Sequence, residues 1–157
     1  MLERSHRQLF LGLLAAIVLL VLPQRSLAAQ LLANGGFSGW AGSAPSGWTH
    51  VNGSLEPAGS GVQFNGSGQI LQTVAIAPSS AYSASFQVQS SAPSGAALLR
   101  ISWYNGSLGL LGTATSPPVG FPGSGAAALS ATSPVNAAFA RFTIVVDAPS
   151  GGAVVVS

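Results

Sequence analysis

Residues 82–89, YSASFQVQ, alternate apolar and polar side chains, and this alternation decides the class of fold. On a strand the apolar set would face one side and the serines and glutamines the other. A strand with one apolar and one polar face is typical of an antiparallel sheet that is buried on one side only. The stretch therefore predicts a sheet that covers a core and leaves its other face in solvent.

The same period of two continues along most of the chain after residue 29, and no amphipathic helical pattern interrupts it. Glycine, proline and serine turns separate the segments. Further strands are predicted at 68–76, 97–104, 108–111, 126–130, 139–146 and 153–157. About eight short strands joined by such turns predict an all-β fold, an antiparallel two-sheet β-sandwich of the jelly-roll type.

Residues 1–29 have the three-part pattern of a secretory signal peptide. Arg4 and Arg7 come first, an unbroken apolar run follows at 9–22, and small residues end the segment at Ala28 and Ala29. The apolar run is shorter than the roughly 20 residues that cross a bilayer, so a membrane anchor is the weaker alternative. The predicted organisation is a signal peptide at 1–29 and one domain at 30–157, secreted to the extracellular side by bacterial-type export and free of the membrane after cleavage.

The domain at 30–157 has no net charge and no lysine, because Arg100 and Arg141 balance Glu56 and Asp147. A nucleic acid requires a basic stripe that displaces counterions from phosphates, and no such stripe exists here. The chain also has no cysteine, which excludes disulfides and thiolate metal sites. A polar, uncharged surface is suited to neutral polar ligands.

Four segments in order resemble the carbohydrate-binding modules of the family 4/9 type, which are galactose-binding-like jelly rolls. Residues 31–48, LLANGGFSGWAGSAPSGW, resemble that family's first strand and loop, and 72–86 its Gln-Thr-Val…Tyr…Phe segment. Residues 101–112 are similar to its aromatic hairpin, and 139–151 to the strand and turn that follow. The resemblance spans 31–157 and implies a partner that is a polysaccharide or other glycan.

Two departures from the family pattern bear on metal binding and on the sheet edge. Ser38 stands where the family commonly has a glutamate, and the chain ends before the family's Asp-Asp-Val-x-Leu strand. The resemblance places both acids in a structural calcium site, so we expect no metal and no other cofactor here. Loss of the closing strand would leave a first strand at 31–37 beside an open edge, to be completed by a missing C-terminal strand or by a partner chain.

Catalysis is not expected from the titratable residues of the domain. His50, Glu56 and Asp147 are its only histidine and acids. Glycoside hydrolysis requires two carboxylates that flank one bond, and exposed turn positions are the simpler interpretation of these two. The domain contains the residue types of a serine–His50–Asp147 triad, but no motif in the sequence indicates that these residues lie close together. The prediction is a domain that is not an enzyme, with His50 at the surface or hydrogen-bonded.

Aromatic residues are the better candidates for function, because sugars rest their C–H faces on aromatic rings. The strand phase places Trp103 in the core, and Trp48 is expected there too. Trp40 lies in a glycine- and serine-rich loop and is either an exposed platform or a plug over the end of the sandwich.

A second candidate is a polar surface that forms if strands 82–89 and 97–104 pair as a hairpin. The predicted ligand-binding residues are Trp40, Gln87, Gln89, Arg100, Ser102 and Tyr104. The predicted function is non-catalytic recognition of a neutral glycan. The alternative is a structural or adhesive sandwich that assembles through its open sheet edge.

Overall fold

The computed structural model describes residues 30–157, so the signal peptide predicted at 1–29 lies outside the described residues. The described part folds into 13 strands. No helix in this range is long and apolar enough to cross a membrane. The strands are β1 (Trp40–Ala41), β2 (Ala44–Pro45), β3 (Thr49–Asn52), β4 (Leu55–Ala58), β5 (Gly61–Asn65), β6 (Gly68–Ala75), β7 (Ala81–Ser90), β8 (Ala96–Tyr104), β9 (Leu110–Thr115), β10 (Val119–Gly120), β11 (Gly123–Thr132), β12 (Phe139–Asp147) and β13 (Ala153–Val156).

Two antiparallel sheets form the sandwich. Sheet I has 6 strands in the order β10-β8-β12-β6-β3, with β9 paired to β8 on the same side as β10. Sheet II has 5 strands in the order β11-β7-β13-β5-β4. The short strands β1 and β2 form a separate hairpin. The prediction of an all-β, antiparallel jelly-roll sandwich is confirmed.

The core lies between the inner faces of the two sheets and follows the alternation read from the sequence. In β8, Leu99, Ile101 and Trp103 are buried, as the strand phase predicts. Phe86 and Val88 of β7 are buried in the same way. The alternation fixes the inner face of each long strand because successive side chains point to opposite sides.

The last strand of the chain lies inside sheet II. β13 pairs with β5 on one side and with β7 on the other, and Val154 and Val156 are fully buried. The strand predicted at 153–157 is thus confirmed as β13. The sequence also predicted a first strand at residues 31–37, and that prediction is wrong, because these residues belong to neither sheet.

Residues 31–37 form turns because side chains satisfy their backbone groups. Asn34 and Phe37 have positive φ, and the amide Nδ2 of Asn34 donates to the carbonyls of Gly39 and Ser46. From β6, the buried Gln72 accepts from Ala33 N–H at 2.7 Å and donates to Ala33 and Gly47 carbonyls. This loop packs the ring of Phe37 5.3 Å from that of Trp48, which is buried as predicted.

Candidate binding site

The predicted binding residues divide between two surfaces, because β7 and β8 do not pair. β7 pairs with β11 and β13 in sheet II, whereas β8 pairs with β9, β10 and β12 in sheet I. The prediction that residues 82–89 and 97–104 pair as a hairpin is therefore wrong. The connection between these strands crosses from one sheet to the other, and its Ala92 is fully buried in the core. Gln87 and Gln89 consequently face away from Arg100, Ser102 and Tyr104.

The outer face of sheet I combines charge, hydroxyl groups and aromatic rings. In the register of β8 with β12, Ser102 lies opposite Arg141, Arg100 opposite Thr143, and Tyr104 opposite Phe139. Directly opposite residues of antiparallel strands project from the same face, with Cβ atoms about 5 Å apart. We name this surface the arginine face and define it by Arg100, Ser102, Tyr104, Phe139 and Arg141.

Contacts within the arginine face fix several of its side chains. The guanidinium carbon of Arg141 lies 4.8 Å from the ring centroid of Tyr104. The Nε of Arg141 is shielded from solvent and has no hydrogen-bond partner. Ser102 is buried beneath its neighbours, and its hydroxyl is 3.2 Å from that of Thr113 on β9. The face thus combines the Arg141 guanidinium stacked on the Tyr104 ring with the neighbouring hydroxyl groups of Ser102 and Thr113.

One end of the arginine face is apolar. Leu110 of β9 lies opposite Tyr104 and is 62% exposed, and Leu108 in the preceding turn is 66% exposed. Phe139, on the other side of Tyr104, is half-buried. Asn105 holds the turn by accepting from the backbone N–H groups of Ser107 and Gly109. Exposed apolar patches rimmed by polar residues mark interaction sites.

The outer face of sheet II differs in chemistry. Gln89 lies opposite Ser124 on one side and Val155 on the other, and Gln87 lies opposite Ala126. We name this surface the glutamine face and define it by Gln63, Gln87, Gln89 and Ser124. A shallow depression of about 440 Å³ borders Gln89 and Ser124. No aromatic residue lines this depression.

Trp40 lies apart from both groups of predicted residues. It belongs to the β1–β2 hairpin, is half-buried and packs against the main core. Its indole Nε1 is shielded from solvent and has no hydrogen-bond partner. The surroundings correspond to the plug alternative rather than to an exposed platform.

The titratable residues named above as catalytic candidates are dispersed. Glu56 is on β4 of sheet II, and Asp147 ends β12 of sheet I, where it accepts from the hydroxyl of Ser67. His50 is half-buried on β3, and its Nε2 is shielded without a partner, so it is neither exposed nor hydrogen-bonded there. In residues 30–157 no three histidine or acidic side chains gather where they could hold a metal ion.

Comparisons with known proteins relate this sandwich to carbohydrate-binding modules. No protein-family profile matches the chain. No curated protein is similar to it either. Among solved structures, a structure titled "CBM4 structure and function" has a TM-score of 0.59 at 11% identity, covering 80% of this chain and 94% of that one.

Two other modules have similar folds. TmCBM61 in complex with β-1,4-galactotriose gives a TM-score of 0.58 at 16% identity, covering 82% of this chain and 95% of that chain. A family 16 carbohydrate-binding module gives 0.56 at 18% identity, covering 81% and 95%. The chain also matches a bacteriophage tailspike enzyme domain but spans only 18% of it. At these identities the likeness shows a shared jelly-roll fold.

Sequence reasoning missed three members of the site and its surroundings. Arg141 entered the sequence analysis only through the charge balance, and the pairing of β12 with β8 is what brings it beside Ser102. The inward phase of Phe142 puts Phe139, three residues earlier, on the outer face, but the sequence interpretation did not include Phe139 among the binding residues. Thr113 lies outside the predicted strand 108–111, which is β9 at Leu110–Thr115.

Proposed function

We propose that residues 30–157 form a non-catalytic domain that binds a glycan on the arginine face. The observation that carries the proposal is the stacking of Arg141 over Tyr104 beside Arg100 and Ser102, on adjacent strands of one sheet. Sites built on strands hold their side chains more rigidly than sites on loops. The similarity of the fold to carbohydrate-binding modules supports the same proposal.

Each component of the face has a counterpart on a sugar. Tyr104 and Phe139 present ring surfaces to the C–H groups of a pyranose. The guanidinium groups of Arg100 and Arg141 donate to ring and hydroxyl oxygens. Thr113 and Thr73, which lie opposite Ser102 and Arg141, are exposed and can exchange hydrogen bonds with hydroxyls. We propose that this domain acts outside the cell after export and performs no chemistry on the bound sugar.

The zero net charge of the domain predicts a neutral glycan. Such a ligand would use the rings of Tyr104 and Phe139 together with the hydroxyl groups of Thr113 and Thr73. The face nevertheless contains both positively charged side chains of residues 30–157.

The test of glycan binding is a glycan array followed by isothermal titration calorimetry with the best ligand. Tyr104→Ala is expected to weaken binding about tenfold or more, because it removes both the stacking surface and the support of Arg141. Gln89→Ala on the glutamine face is the matched control and should bind as the unmodified chain does. Absence of binding to every polysaccharide by the folded protein would overturn the proposal.

A second candidate function is assembly through a sheet edge, and one observation favours it. β11 is an edge strand of 10 residues, Gly123–Thr132, which contains neither proline nor charge. Long uncharged edges are templates for pairing with another chain. The opposite edge of sheet II, β4, contains Glu56 and Pro57, which hinder such pairing.

Size-exclusion chromatography with light scattering tests this candidate. Edge pairing predicts dimers or larger species that Ala128→Lys in β11 converts to monomers. A monomer at all concentrations would contradict edge-mediated assembly and leave the glycan-binding proposal in place.

A further inference from the structure

The charges of the domain are separated in space although they cancel in sum. Arg100 and Arg141 project from the same face of sheet I. Glu56 lies on the other sheet, opposite Gln63. Asp147 lies opposite Ala96, four residues along β8 from Arg100, which is about 13 Å on an extended strand. Neither carboxylate is therefore placed to neutralise the arginine face.

The two arginines are close to each other. Arg100 of β8 lies opposite Thr143 of β12. Arg141 lies two residues before Thr143 on β12, opposite Ser102 of β8. Such diagonal neighbours have Cα atoms about 7–8 Å apart, within reach of long side chains. Two cations that share one face, with no carboxylate beside them, favour an anionic ligand over a neutral one.

From this arrangement we infer that the arginine face selects an anionic sugar, a pyranose that carries a carboxylate or a sulfate ester, within a polysaccharide. The guanidinium fork pairs with such oxyanions through two parallel hydrogen bonds, which a neutral hydroxyl cannot match. Tyr104 and Phe139 lie next to the arginines and would hold the ring of the same sugar. A nucleic acid is a poor alternative, because two cations neutralise too few phosphates.

This inference rests on the proposed glycan-binding function and replaces its neutral ligand by an acidic one. The test is titration calorimetry of the full chain against four matched probes. They are oligogalacturonate, its fully methyl-esterified form, a sulfated galactan oligosaccharide and its desulfated form. The first pair isolates the carboxylate and the second isolates the sulfate, because ring and linkage stay the same within each pair.

The expected result is binding to at least one anionic probe about tenfold tighter than to its neutral counterpart. Arg100→Gln and Arg141→Gln should each remove most of that difference, and raising the salt concentration should reduce it. Glu56→Gln is the control for charge removal away from the face, since it changes the net charge by one unit of opposite sign on the other sheet. It should leave the preference intact, and thermal melting should show that all variants are folded.

Each other outcome has a separate meaning. Equal binding of the anionic and neutral members of both pairs overturns the anionic inference while the glycan-binding function stands. A preference that survives in both arginine variants also overturns it. Failure of all four probes, together with an empty glycan array, overturns the proposed function itself.

Discussion

Arg141 of β12 lies over the ring of Tyr104 of β8, with its guanidinium carbon 4.8 Å from the ring centroid. The contact joins two strands that are far apart in sequence and neighbours in sheet I. A cation that rests on an aromatic ring loses part of its conformational freedom before any ligand arrives, and such pre-organisation favours binding. The pair is thus the part of the face on which the proposed function depends most.

Replacement of Tyr104 by phenylalanine distinguishes the contribution of the ring to binding from that of the hydroxyl. Because phenylalanine keeps the stacking surface, Tyr104→Phe should retain glycan affinity within about threefold, whereas Tyr104→Ala should lose about tenfold or more. Both variants should stay within about 1 kcal/mol of the unmodified free energy of unfolding, since the residue is half-buried. Calorimetry and urea denaturation measure the two quantities. A large loss in Tyr104→Phe would assign recognition to the hydroxyl.

Trp40 should matter for stability and little for binding. Its ring packs against the main core, so Trp40→Ala is expected to lower the free energy of unfolding by about 2–3 kcal/mol. The β1–β2 hairpin contacts β3, which β6 and β12 separate from β8 in sheet I, so glycan affinity should change less than about twofold. Urea denaturation and calorimetry on the same sample check both statements. A tenfold loss of affinity with unchanged stability would restore Trp40 as a binding platform.

Gln72 is expected to be among the most sensitive polar residues. Its side chain makes three hydrogen bonds to the backbone of the loop at residues 33–47. Gln72→Leu leaves those backbone groups without partners and should cost about 3 kcal/mol of unfolding free energy. Gln69→Leu, on the outer face of the same strand, is the control and should cost less than about 1 kcal/mol. Equal effects of the two substitutions would show that the loop does not depend on Gln72.

β13 should be indispensable to sheet II. Val154 is fully buried between the sheets, and its neighbour Val155 points outward and is half-buried. Val154→Ala should therefore destabilise the fold by about 2–3 kcal/mol, and Val155→Ala by less than about 1 kcal/mol. Thermal or urea unfolding compares this matched pair. If both substitutions were equally mild, β13 would not hold the central position described above.

The alternation of side chains in 82–89, 97–104 and 139–146 was sufficient to predict the fold class and the inner face of each long strand. Local pattern could not predict which strands pair. The turn at 93–95 reads like a hairpin, yet the chain crosses between sheets there. The short strands β4 and β5 were missed, although Val62 and Phe64 of β5 are fully buried. These segments are short and flanked by glycines, so an alternation of apolar and polar residues cannot be recognised in them.

The candidate site could be predicted only in part for the same reason. Arg100, Ser102 and Tyr104 share a face because they alternate along one strand, and the sequence alone shows this. Gln87 and Gln89 were assigned to the same surface through a pairing that does not form. Arg141 and Phe139 join the site through long-range register, which depends on packing across the sandwich and not on local residues.

The most direct test of the central claim is a map of the bound glycan on the two outer faces. Amide chemical shifts of the isotope-labelled chain would be followed during titration with the best oligosaccharide ligand. Binding on the arginine face predicts perturbations centred on Arg100, Ser102 and Tyr104 and on the neighbouring residues of β12. Perturbations centred on Gln87, Gln89 and Ser124, with the arginine face unchanged, would contradict the account.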